Sequence, residues 1–270
     1  MNSYTHLYYL ISLRCNERCS KCSHWKVREQ SSRVSTAKVI QAVLDLPDLC
    51  ELCLVGGEPL IQKGTVLDIL HGISNTGVKT VLVTNGVACS PRFIDNVKHF
   101  NLHIVFSIDT VDQIYWSYVR GNDSYRIVMD NFQYAVDNLY PEQMSVQSVL
   151  SKETKEHIRE VAEFCKRIDR FHSVQHYIQQ GFEGEWTELA QEADNAPCCS
   201  CQAAWRNLSI MPDGNVFTCF QQPLILGCEA PLGNLEDASI KQILSSPYTA
   251  KVNACMKACD LPCKVLKCNQ

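Results

Sequence analysis

Up to about residue 178, short apolar runs alternate with longer segments whose apolar positions recur at helical spacing. The runs that predict strands are His6 to Leu13, Glu51 to Val55, Thr80 to Val83, His103 to Phe106, Ser145 to Leu150 and Ser173 to Ile178. The segments between them, Thr36 to Leu46, Thr65 to Asn75, Pro91 to Phe100, Ser124 to Leu139 and Thr154 to Arg170, predict helices; Val39, Ile40, Val43 and Leu44 form a typical stripe. Regular alternation of this kind predicts βα units and a parallel sheet, so the expected class is α/β. A polar stretch with Gly181 and Gly184 follows, after which the period breaks and Cys, Pro and Gly take over. Residues 1–180 are therefore expected to form the core, 181–197 a linker and 198–270 a small cysteine-rich module.

In a parallel βα fold every strand delivers its following loop to the same face of the sheet, where functional residues gather. Five such loops carry polar or glycine-rich sequence: Arg14 to Cys22, Gly56-Gly57-Glu58-Pro59, Thr84-Asn85-Gly86, Ser107-Ile108-Asp109 and Ser151-Lys152. One site assembled from five loops is the expectation. Arg120, Gly121 and Asn122, just before the fourth expected helix, either reach that pocket or form a solvated loop.

Composition narrows the chemistry. The net charge of -4 comes from 25 basic and 29 acidic residues spread along the chain, with no basic run to track phosphates, which argues against nucleic acid as a partner. The N-terminus has no secretory pattern and no apolar run approaches a membrane span, so the expectation is a soluble, cytoplasmic protein without membrane partners. Sixteen cysteines in a reducing compartment point to metal or redox chemistry, not to disulfides. Three sit at 15 to 22 and nine between 198 and 268.

Cys15, Cys19 and Cys22 are spaced to bring three thiolates around one cubane, leaving a fourth iron without a protein ligand. A zinc site completed by His24 is the competing reading. The pattern Cys15-x3-Cys19-x2-Cys22 after a first strand, with Gly56-Gly57-Glu58-Pro59 after a second, resembles the radical S-adenosylmethionine (radical SAM) superfamily over about residues 6 to 178. The resemblance implies a partial (β/α)6 barrel and reductive cleavage of S-adenosylmethionine to a 5'-deoxyadenosyl radical that takes a hydrogen atom from the substrate. It also implies that the Gly56-Gly57-Glu58-Pro59 loop binds the methionine amino group, that Asn85 and Gly86 approach the adenosyl part, and that Ser107 and Asp109 face the ribose or the substrate. Ordinary strand-end capping is the alternative for Ser107 and Asp109. The position before the third cysteine, usually aromatic in this family, is Lys21; the aromatic contact would then fall to His24 or Trp25.

Farther on, Met211-Pro212-Asp213-Gly214-Asn215 has the composition of a hairpin turn between two short strands, and Gly233-Asn234-Leu235 leads into a helix expected near Ser239 to Asn253. With Cys201, Gly214 and Cys219, the segment resembles the SPASM and twitch extensions of radical SAM enzymes, implying at least one auxiliary 4Fe-4S cluster. The expected ligands are Cys201, Cys219, Cys263 and Cys268, with Cys259 as a substitute; a zinc ribbon on the same thiolates is the competing structure. Cys255 or Cys259, if unligated near the barrel mouth, could return a hydrogen atom to a substrate radical.

These features predict oxidation or epimerisation of a small metabolite, such as an aminocyclitol or aminoglycoside, or of a peptide. Peptide crosslinking and a non-catalytic iron-sulfur electron carrier are the alternatives. An electron donor such as flavodoxin or ferredoxin is the implied protein partner.

Overall fold

The computed structural model describes residues 3–22, 24–26, 33–151, 154–176, 203–219, 222 and 229–257. Six strands, β1 (His6–Ser12), β2 (Glu51–Gly56), β3 (Lys79–Thr84), β4 (Leu102–Ser107), β5 (Met144–Leu150) and β6 (Phe171–His176), lie in the order β6-β5-β4-β3-β2-β1, each parallel to its neighbour. Helices α1 (Thr36–Leu44), α2 (Lys63–Ile73), α3 (Pro91–Val97), α5 (Tyr125–Asn138) and α6 (Ile158–Arg167) occupy the five expected connections. The sheet stays open, with β6 and β9 (Gly233–Asn234) at its edges, which is the expected α/β partial barrel. Leu7, Leu52, Leu54, Leu82 and Ile104 from the strands and Val39, Val66, Ile69, Ile94 and Phe132 from the helices are fully or almost fully buried in one core. Each such side chain contributes about 1.5–3 kcal/mol of apolar burial.

The connection between β4 and β5 holds a helix that the apolar pattern did not predict, α4 (Gln113–Arg120). Its start is set by Asp112, whose carboxylate accepts from the Ile114 and Tyr115 backbone N–H groups at 2.7 and 3.0 Å. Its end is set by Gly121, in the left-handed region at φ 68°. Only Trp116, Val119 and Arg120 of its eight residues are buried, too thin an apolar stripe to read from sequence.

The C-terminal segment joins the same sheet. After α7 (Ala203–Arg206), β7 (Asn207–Ile210) runs parallel beside β1, pairing Asn207 with His6 and Ile210 with Tyr9. The predicted hairpin then turns at Gly214 (φ 89°) into antiparallel β8 (Asn215–Phe217), and β9 closes the edge. The single helix expected near Ser239 to Asn253 is instead two, α8 (Ile240–Leu244) and α9 (Pro247–Lys257). Pro247 has no N–H to continue a helix but suits the first turn of a new one. The proposed linker, residues 181–197, lies outside the described residues, as do residues 177–180 where the sixth strand was expected to end. Among the described residues, no helix is long and apolar enough to cross a membrane.

Candidate active site

The chain leaving β1 carries Cys15, Cys19 and Cys22, three half-buried thiols outside any disulfide. The Cys22 N–H donates to the Cys19 carbonyl at 3.1 Å, closing the loop's last turn. N–H donors point at the sulfurs: the Glu17 backbone reaches Cys15 Sγ at 3.4 Å, Asn85 Nδ2 the same sulfur at 3.8 Å, and Arg120 Nη1 reaches Cys19 Sγ at 3.8 Å. Burial pushes the Cys15 thiol up to about 11 and that of Cys19 upward as well. A bound metal deprotonates such thiols outright, and N–H groups aimed at sulfur suit the thiolates of an iron-sulfur cluster. Among the described residues, no group of three or more Cys, His, Asp or Glu side chains is drawn together around a metal position.

The second loop lies directly against this one. Gly57 N–H donates to the Ser12 carbonyl at 2.7 Å and Glu58 N–H to the Arg14 carbonyl at 2.9 Å. A Cβ on Gly57 would sit 2.3 Å from the Arg14 carbonyl oxygen, and one on Gly56 (φ 141°) 2.3 Å from that of Ser12. The paired glycines therefore let two backbones meet at the cysteine loop's entrance. Pro59 opens a 3-10 turn, Pro59–Gln62.

Glu58 is buried, and its carboxylate accepts from Leu60 N–H at 2.9 Å, Thr84 Oγ1 at 2.8 Å and Asn85 N–H at 2.7 Å. It thus ties the second loop to the third. Burial outweighs these three donors and holds its carboxyl up at about 7. Asn85 then reaches the cysteine loop, donating through Nδ2 to Asn16 Oδ1 at 2.7 Å. Gly86 takes φ 86°, and its carbonyl accepts from Asn131 Nδ2 at 2.9 Å.

Asp109 is buried with three internal partners: Lys21 Nζ at 2.7 Å, Arg120 Nη2 at 3.2 Å and the Val149 N–H at 2.7 Å. Burial raises its pKa, but the neighbouring Arg120 and Lys21 charges prevail and hold its carboxyl below the usual range. The Ser107 carbonyl accepts from Arg120 Nη2. Lys21 thus spans from the cysteine loop to the end of β5, where it also donates to the Val149 carbonyl at 3.3 Å.

One functional candidate escaped the sequence reading. Glu17, between the first two cysteines, is fully buried and accepts from Ser124 Oγ at 2.7 Å and Arg120 Nη1 at 3.4 Å. Ser124 Oγ in turn accepts from Trp116 Nε1 at 2.9 Å. The position of Glu17 inside the cysteine motif was the available signal. Arg120 is not part of a solvated loop: it is the last residue of α4 and only 4% exposed.

Trp25 is half-buried, with Nε1 donating to the Cys19 carbonyl at 3.2 Å and the Arg18 guanidinium 5.4 Å from its ring. The side chain of His24 lies outside the described residues, as do Lys152, Cys201, Cys259, Cys263 and Cys268. Cys219 is buried at the end of the hairpin, and Cys255 on α9 is half-buried and packed against the hydrophobic core.

A model of the radical SAM superfamily matches residues 9–165, more than half of the chain. The chain belongs to the radical SAM superfamily. A second model, SPASM, an iron-sulfur cluster-binding domain, matches residues 196–269. Membership brings S-adenosylmethionine and a 4Fe-4S cluster, and the SPASM match brings auxiliary iron-sulfur clusters. Molybdenum cofactor biosynthesis protein moc-5 of Caenorhabditis elegans is 27% identical over 132 residues, 46% of this chain and 22% of that protein. This chain therefore matches only a minor part of that relative.

Among solved structures, SuiB of Streptococcus suis bound to S-adenosylmethionine superposes with a TM-score of 0.77 at 16% identity, covering 97% of this chain and 73% of SuiB. Native anSMEcpe with bound AdoMet and Cp18Cys peptide gives 0.70 at 15%, covering 92% and 82%. BtrN in complex with AdoMet and 2-DOIA gives 0.55 at 14%, covering 95% and 89%. At such identities the likeness is one of fold, and this radical SAM protein shares theirs.

Proposed function

We propose that this radical SAM protein is an enzyme that removes a hydrogen atom from a peptide substrate and completes a two-electron oxidation. The succession in one chain of the radical SAM match over 9–165 and the SPASM match over 196–269 carries the reading. An oxidation needs a means of taking hydrogen and an acceptor for the second electron, and the two matches correspond to these needs. A peptide is favoured because the SuiB structure bound to precursor peptide SuiA and the anSMEcpe peptide complex give TM-scores of 0.71 and 0.70. A small metabolite is the second reading, supported by BtrN at 0.55.

In this reading Cys15, Cys19 and Cys22 would hold the cluster, and S-adenosylmethionine would bind beside it. When bound, the cluster supplies the electron that cleaves S-adenosylmethionine to methionine and a 5'-deoxyadenosyl radical. Gly56 and Gly57 keep the neighbouring backbone close to the cysteine loop, and Glu58 holds Thr84 and Asn85 in place. Asp109 orients Lys21 and Arg120 instead of contacting the substrate. Reduction would come from a carrier such as flavodoxin or ferredoxin.

The test is anaerobic reconstitution with iron and sulfide, reduction, and addition of S-adenosylmethionine. Formation of 5'-deoxyadenosine, with label transferred into it from a deuterated peptide, is the expected outcome. A reconstituted protein yielding no 5'-deoxyadenosine would overturn the assignment, and label transfer from a cyclitol alone would move it to the second reading.

A further inference from the structure

We propose that Arg120 is a positioning residue for the iron-sulfur cluster, clamping the cysteine loop to the C-terminal end of α4 and placing a fixed positive charge against the Cys19 sulfur. The inference rests on the assignment of Cys19 as a cluster ligand made above.

The side chain bridges four groups. Nη1 lies 3.8 Å from Cys19 Sγ and 3.4 Å from Glu17 Oε2, while Nη2 lies 3.2 Å from Asp109 Oδ2 and donates to the Ser107 carbonyl. Its backbone takes part as well: the Arg120 carbonyl accepts from Arg18 N–H and the Val119 carbonyl from Ser20 N–H, both at 3.0 Å. Two N–H groups of the cysteine loop thereby satisfy carbonyls that a helix end leaves open. Gly121 makes this approach possible, since a Cβ there would sit 2.3 Å from the Arg18 carbonyl oxygen.

Among these side chains the charges balance. Arg120 and Lys21 oppose Asp109 and Glu17, all four nearly buried, so the loop reaches its shape without an uncompensated ion. Only the planar fork of an arginine can serve a sulfur, two carboxylates and a carbonyl at once. Hydrogen bonds to cluster sulfur and nearby positive charge favour the reduced state and raise the reduction potential. Removal of Arg120 therefore acts on cluster retention and on potential separately from any effect on substrate.

The experiment compares reconstituted wild type with Arg120→Met and Arg120→Lys. It reads the midpoint potential by EPR-monitored titration, cluster lifetime against an iron chelator, and thermal melting. Arg120→Met should shift the midpoint to more negative potential and shorten cluster lifetime about tenfold, the usual scale for losing a group that orients a metal ligand. Arg120→Lys keeps a charge for Asp109 and is the variant to use if the methionine form does not fold; it should recover melting more than cluster lifetime. Wild-type midpoint and lifetime in whichever variants fold would overturn the proposal. A wild type that shows no S-adenosylmethionine-sensitive cluster signal would instead bring down the ligand assignment itself, so the two failures are distinguishable.

Discussion

The cysteine-loop end of the strands and the outer surface of the molecule handle charge in opposite ways. Around the cysteine loop, Lys21 pairs with Asp109 at 2.7 Å with side chains 8% and 3% exposed, and Glu17, Glu58 and Arg120 are equally deep. On the outer helices, Arg159 pairs with Glu163 at 3.1 Å with side chains 87% and 60% exposed, and Lys38 meets Glu236 in the open. Exposed pairs add little to stability, whereas a buried ion left alone costs several kcal/mol. Charge in this protein is buried where loops from different strands must be held against one another at the proposed cluster site. The outer pairs only dress a surface.

The contrast can be broken most severely at Gly57. Gly57→Val should leave little soluble, folded protein, because its side chain must displace the Arg14 carbonyl, 2.3 Å from the built Cβ position; expression yield and circular dichroism would show it. Glu58→Ala comes next: it strands three donors, and a loss of roughly 3 kcal/mol or more is expected in denaturant unfolding.

The same residue sharpens the comparison through pH. Its carboxyl, held at about 7 in the fold against 4.5 when free, keeps its proton where the unfolded chain has released it. That contribution is complete below 4.5 and is lost as pH rises through 7. Wild type should therefore lose stability relative to Glu58→Gln between pH 5 and pH 8, whatever the constant offset between them. A parallel pair of curves would show that Glu58 is already ionised.

Asp112→Ala should cost about 1 kcal/mol by removing the N-cap of α4. Its effect should also appear as faster hydrogen exchange in the cysteine loop, which α4 supports through the Val119 and Arg120 carbonyls. Smallest of all, Arg159→Ala should leave the melting temperature unchanged. A clear loss there would remove the distinction between the two kinds of ion pair.

Much of this was visible along the chain before any contact was known. The six parallel strands, the five helices that follow the expected pattern, and the turn at Gly214 all follow from local periodicity and turn chemistry. α4 did not, because its capping by Asp112 and Gly121 is clear only once its few buried residues have something to pack on. The break at Pro247 was legible in principle, since proline cannot continue a helix, and was overridden by the apolar spacing on either side. Lys21 stood out only as an unusual residue beside Cys22, and its purpose emerged with Asp109, which lies on another loop.

By itself the sequence determined the alternation of strand and helix, the order of the cysteine and glycine motifs, and their delivery to one face. Those are consequences of residue spacing over a few turns. Only the tertiary structure decided that Glu17 meets Ser124 and Arg120, that Lys21 meets Asp109, and that β7 lies beside β1. Such partners are separated by some 90 to 200 residues, and a buried charge or a sheet edge takes whichever complementary group the packed strands bring within hydrogen-bonding distance.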